Sequence, residues 1–222
     1  MYNTWTPYLY LSLFLALVGV CEILYRVFKI HPEFTRKILH FTAGVLILAF
    51  PFAVKEPFLA ILFCIAFTAL LFFSKKHDFF PSIHRIERHS YGIYYTPFIF
   101  IAAYLMYYYY QQYTYFYIPL LILAISDALA AVIGQIWPYK PYILFGHKKT
   151  LAGSTAFFIS AFLISYICLG FFEQFPTQTN LAASFAIALT SAVVEAISSK
   201  GIDNLSIPLT VAAMLYLFNE II

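Results

Sequence analysis

Long stretches without charge restrict this chain more than any motif does. A helix that crosses a bilayer needs about 20 apolar residues, with roughly 17 to 25 tolerated. Eight such stretches run through the sequence: Pro7 to Phe28, Ile38 to Val54, Pro57 to Phe73, Ile93 to Tyr110, Phe116 to Gly134, Leu151 to Phe172, Leu181 to Ile197 and Leu205 to Ile222. Of the 222 residues, 63% are hydrophobic and 10% charged, where soluble domains have about half apolar and a quarter charged residues. Too little polar surface remains to wrap a water-soluble globule, and the apolar excess is spread along the chain, which excludes a single-pass anchor and a peripheral protein. The expected fold is an all-α, polytopic integral membrane helix bundle of eight spans. Only Lys55 and Glu56 separate the second and third stretches, so seven spans result if they form a re-entrant hairpin.

Orientation follows from the basic residues. With eight spans, twelve Lys and Arg residues fall on one side of the bilayer and only Lys55 on the other. Basic loops stay in the cytoplasm, so both termini are expected outside. A net charge of +3 implies no nucleic-acid partner. The first stretch carries Glu22 and Arg26 near its end and no basic segment before it, and it reads as a retained helix. No linker or soluble insert exceeds about 20 residues, so residues 1–222 are expected to form one integral membrane domain; the oligomeric state stays open. Cys21, Cys64 and Cys168 each sit inside an apolar run, as buried small hydrophobes do. Tyr107 to Tyr110, Tyr113, Tyr115 and Tyr117 crowd one outer connection, as an interfacial aromatic belt would.

Charge inside a span costs roughly 2.5 to 3.5 kcal/mol on insertion scales, so acids in apolar runs need a reason to be there. Glu22 has one in Arg26, a turn later on the same helix face. Asp127 has no basic residue within a helical turn, which suggests a metal ligand or a base facing a wet cavity. Ala131 and Gly134, on its face, leave room for a ligand or a neighbouring helix. Glu195 stands near the inner end of its helix without an evident capping role. After it come Lys200, Gly201, which permits a tight C-terminal turn, and Asp203 with Asn204, one of which can cap the next helix.

Two basic segments face these acids along the sequence. Arg36, His40 and Gly44 repeat every four residues, so one helix face carries a guanidinium, an imidazole and a gap that can receive an anion; alternatively Arg36 and Lys37 are topological anchors. In the loop from Gly146 to Ser154, Lys148 and Lys149 precede Thr150, a plausible N-cap. The helix after it opens with small residues, including Gly153 and Ser154, whose N–H groups favour a phosphate. No Walker A spacing is present. All of these residues fall in or beside the cytoplasmic half on the eight-span topology.

Arg36-Lys37 with His40 and Gly44, Asp127 with Ala131 and Gly134, Lys148-Lys149 with Gly153-Ser154, and the run from Glu195 to Pro208 together resemble the polyprenol kinase family, which includes dolichol, phytol and farnesol kinases and a CTP-dependent diacylglycerol kinase. The resemblance runs from about Arg36 to Leu209, with Gly201 to Pro208 its strongest part. It implies an all-helical membrane enzyme that moves the γ-phosphate of CTP to a lipid alcohol with Mg²⁺. Its site residues would be Arg36, His40, Asp127 and Glu195 for catalysis. Lys37, Lys148, Lys149, Gly153, Ser154, Lys200, Gly201 and Asn204 would hold the nucleotide, and Asp127, Glu195 and Asp203 the metal. A CTP:phosphatidate cytidylyltransferase or a CTP-dependent diacylglycerol kinase is the nearest alternative, and a small transporter a distant one, since intramembrane acids also mark ion pathways.

Overall fold

The structure, a computed structural model, describes residues 6–30, 32–77, 92–145, 147–198 and 201–221. Among them are eight long helices and one short hairpin, in two compact units, 1–89 and 90–222. Five of the helices, over Tyr8–Arg26, Pro57–Ser74, Thr114–Ile136, Leu151–Glu173 and Thr177–Ile197, are long and apolar enough to cross a membrane by length and composition. The all-α bundle is what the chain forms.

The first unit consists of α1 (Thr6–Arg26), α2 (Pro32–Ala53) and α3 (Pro57–His77). Lys55 and Glu56 therefore separate two full-length helices of 22 and 21 residues. Phe50 of α2 is buried between Tyr10 of α1 and Phe63 of α3, with ring centroids 5.2 and 6.4 Å away, both edge-on. Phe14 of α1 meets Phe67 of α3 edge-on at 5.0 Å. Edge-to-face contacts of this kind supply directional packing where lipid removes the hydrophobic drive between helices. As expected, Glu22 is ion-paired with Arg26.

The second unit runs α4 (Gly92–Tyr110), α5 (Thr114–Ile136), β1 (Pro141–Leu144), β2 (His147–Thr150), α6 (Leu151–Glu173), α7 (Thr177–Ile197) and α8 (Asp203–Ile221). Helix α6 packs on α5 and α7, and α8 packs on α7, α5 and α4. Phe157, Ala161, Ala183, Ile187, Ala188, Ile207 and Val211 are fully buried in its core. The alanines among them let helix backbones approach closely. A π-helical turn, Ile122–Ser126, interrupts α5, and a second, Leu169–Glu173, ends α6. The tyrosine tract divides: Tyr109 is exposed as a belt residue should be, but Tyr115 and Tyr117 are buried, and Tyr117 stacks on Phe172 at 5.3 Å. Tyr115 and Tyr117 are core residues because their rings pack against neighbouring helices.

Helices α5 and α6 cross with Gly134 against Gly153. A Cβ built on Gly153 would lie 2.8 Å from the Ala130 carbonyl oxygen, and one on Gly134 would lie 2.8 Å from Thr150 Oγ1. The space that Gly134 leaves is taken by a neighbouring helix. Gly153→Ala must displace backbone, so it is expected to destabilise the purified protein by about 1–3 kcal/mol, read as a lower melting temperature. Gly19→Ala on α1, where a Cβ meets nothing within 4 Å, should leave melting unchanged or slightly raised. Equal melting of the two variants would show that the crossing tolerates a methyl group.

Candidate functional site

The site is built from the hairpin upward. Pro138 and Pro141 prevent α5 from continuing, and Lys140 and Phe145 take left-handed φ values of 44° and 49° that turn the chain. The strands pair antiparallel, Tyr142 opposite Lys149 and Ile143 opposite Lys148. The Leu151 N–H donates to the Lys140 carbonyl at 3.2 Å and closes the base of the hairpin. Thr150 caps α6, its Oγ1 accepting from the Gly153 N–H at 3.1 Å, as its place in the sequence suggested.

Tyr142 and Lys149 share the inner face. The Tyr142 hydroxyl bonds Ser154 Oγ at 2.6 Å. Lys149 Nζ donates to the Glu195 carboxylate, forming an ion pair, and to the Glu195 carbonyl at 3.1 Å. Glu195 lies in the last turn of α7, so the ammonium meets both a carboxylate and the negative end of a helix. The other carboxylate oxygen, Oε2, is buried and makes no hydrogen bond among the described residues. A buried carboxylate oxygen left without a donor is costly unless something else takes it.

Beyond Glu195 the chain turns through Gly201, at φ 88°, where a side chain would be strained. Ser198 and Ser206 share a hydrogen bond of 2.8 Å across the turn. Asp203 Oδ1 accepts from the Asn204 N–H at 3.0 Å at the start of α8, and Asn204 Nδ2 lies 3.4 Å from Thr96 Oγ1 on α4. Asp127 is half-buried and follows the π-helical turn of α5; π-turns of this kind recur at functional sites. Its neighbour Ser126 is fully buried, with Oγ unbonded among the described residues.

The residues singled out in the sequence are thus only partly brought together. Lys149 meets Glu195, and Gly201, Asp203 and Asn204 form one turn. Gly153 has its N–H held by Thr150 and its α-carbon pressed toward α5, while the Ser154 hydroxyl bonds Tyr142. Lys148 is exposed on the hairpin's other face. Gly44 is buried on α2; the side chains of Arg36, Lys37 and His40 on the same helix lie outside the described residues, as does Lys200. Asp127, Glu195 and Asp203 form no three-ligand centre: among the described residues no three His, Cys, Asp or Glu side chains gather where one ion could hold them. Mg²⁺ commonly needs only one or two carboxylates, its other positions going to phosphate oxygens and water. The unbonded Oε2 of Glu195 fits that smaller requirement.

Sequence reasoning passed over Glu173, whose Oε1 accepts from Thr114 Oγ1 at 2.7 Å at the far end of α6. Its only signal was an acid one residue beyond an apolar run.

Lys149→Met would leave Glu195 buried without its cation, which is expected to cost about 3–5 kcal/mol of stability. Adding Glu195→Gln to it should recover most of the melting temperature. Additive losses in this double-mutant cycle would show that the pair is not coupled.

No family model matches the chain, and no solved structure matches it. A phytol kinase of Synechocystis sp. is similar: 29% of residues are identical over 197 positions, covering 87% of this chain and 83% of that protein. The family resemblance carried by the motifs from Arg36 to Leu209 is borne out by this similarity to a phytol kinase, which extends over most of the chain.

Proposed function

We propose that this chain is a lipid-alcohol kinase that transfers the γ-phosphoryl group of CTP to a polyprenol or related isoprenoid alcohol. The observation that carries the reading is the Lys149–Glu195 pair. It joins a cation and a carboxylate from different elements, with one carboxylate oxygen buried and unbonded among the described residues, in a chain similar along most of its length to a phytol kinase. Phosphoryl transfer asks a protein for positioning and neutralisation of charge more than for covalent chemistry, and such a set of residues can supply both. The alcohol oxygen bonds to the γ-phosphorus as the bond to the β–γ bridging oxygen breaks, and CDP leaves. Asp127, half-buried beside the π-helical turn of α5, takes the alcohol proton. Lys149, Gly201 and Asn204 hold the nucleotide, with Lys200 added on the strength of the resemblance. Glu195, with Asp127 or Asp203, would hold Mg²⁺, which when bound neutralises charge on the phosphate oxygens.

Purified protein given phytol or farnesol is expected to consume CTP in preference to ATP, to stop when divalent cations are chelated, and to yield CDP with phosphorylated alcohol. Release of pyrophosphate would instead mark a cytidylyltransferase. Asp127→Asn preserves size and removes charge, so turnover should fall ~10² to 10⁴-fold with melting little changed. Near-normal turnover would remove Asp127 from the chemistry.

The twelve-to-one division of basic residues supports eight spans with both termini outside and the site on the cytoplasmic side. Single cysteines at Gln111 and Gln178, both exposed, should react with an impermeant thiol reagent added outside, and one at Lys140 only after permeabilisation. Labelling at position 140 from outside would overturn this topology.

A further inference from the structure

The hairpin has two faces, and the Lys149–Glu195 pair uses one of them. Cross-strand partners share a face of a sheet, while consecutive residues point to opposite faces. Tyr142 and Lys149 are partners, both half-buried, and reach Ser154 and Glu195. Ile143 and Lys148 are the next partners, both exposed, with Ile143 at 72%. The exposure continues on either side, through Ile136 at 75%, Trp137 at 74%, Tyr139 at 57% and Phe145 at 79%.

Exposed apolar groups concentrated in so short a segment mark an interaction surface. Its chemistry is specific. Trp and Tyr beside Lys is the composition of a membrane–water interface, where rings lie at headgroup depth and lysine stems run along apolar matter to a charged end. Lys140 shows the habit already, its Nζ 5.4 Å from the centre of the Tyr139 ring. Between Asp127 and Glu173 the sequence contains no acid, while Lys140, His147, Lys148 and Lys149 crowd the hairpin. A partner for this face must accept apolar side chains and supply negative charge. An anionic leaflet does both, and the hairpin joins two helices long and apolar enough to enter it.

We infer that the outer face of the hairpin is a membrane-docking surface for anionic phospholipid, with Ile143 and Phe145 among the acyl chains and Lys148 on headgroup phosphate. Adjacent lysines then have opposite duties: Lys149 is turned to Glu195 and Lys148 to lipid. Docking holds the inner face at the level of the headgroups, where the hydroxyl of a membrane-dissolved alcohol lies. That last consequence rests on the kinase reading; the docking itself does not.

The test uses the full chain with its native cysteines replaced by alanine, a nitroxide on Ile143→Cys, and nanodiscs of phosphatidylcholine with or without phosphatidylglycerol. With phosphatidylglycerol present, the label should be reached by oxygen in preference to a water-soluble nickel chelate. Lys148→Gln should shift that balance toward the chelate by about fivefold, the effect of one basic residue at an anionic surface. A label equally open to the chelate in both lipids would overturn the proposal. So would a Lys148→Gln variant whose nucleotide KM rises while label depth stays fixed, since that places the lysine on the triphosphate. A protein without kinase activity would defeat the proposed function, yet the depth measurement would still decide the docking.

Discussion

At the crossing of α5 and α6 a Cβ on residue 153 would stand 2.8 Å from the Ala130 carbonyl oxygen, and the geometry of the second unit depends on that closeness. Between helices in lipid there is no hydrophobic force to exploit, because acyl chains are as apolar as leucine; association comes from close contact and hydrogen bonds. Two glycines provide the contact. Thr150 joins them, since it lies where a Gly134 side chain would go and caps α6 through the Gly153 N–H. The end of the hairpin is thereby fixed to both helices, and Lys149, the preceding residue, is aimed at α7.

The Lys149–Glu195 pair is held in place by that geometry more than it creates it. Taking two charges out of water offsets most of what their attraction returns, so such a pair adds little net stability. What it adds is specificity, because either charge alone is far worse than both together. The ammonium also meets the Glu195 carbonyl, so the hairpin is pinned to the C-terminal end of α7, just before the Gly201 turn leads into α8. One carboxylate oxygen remains unbonded among the described residues, a vulnerability in a purely structural pair and an asset where a cation and phosphates are to be gathered.

The long helices were legible because their signal is local: about 20 apolar residues in succession need no partner to be recognised. The run from Leu181 to Ile197 became α7 almost unchanged, extended at its start to Thr177 behind Pro176. The hairpin was not legible. Tyr142 to Leu144 is too short an apolar run to separate from a loop, and strand pairing depends on a partner segment that no periodicity announces. Glu173 escaped for the same reason, as its partner Thr114 lies 59 residues away. The tyrosine tract was read by composition as a belt, although burial of Tyr115 and Tyr117 follows from which side of a helix each ring occupies.

By itself, the sequence determined that this chain forms an apolar helical bundle and which charged residues demand explanation, because hydropathy and the cost of buried charge act residue by residue. It also carried the family resemblance, which lies in the order of motifs and not in their contacts. Only the tertiary structure decided that Lys149 meets Glu195 while Lys148 faces away, and that Gly134 admits a helix instead of a ligand. Those outcomes turn on the alternation of a two-stranded pairing and on the distance between two backbones, and both arise only when segments far apart in the chain are brought together.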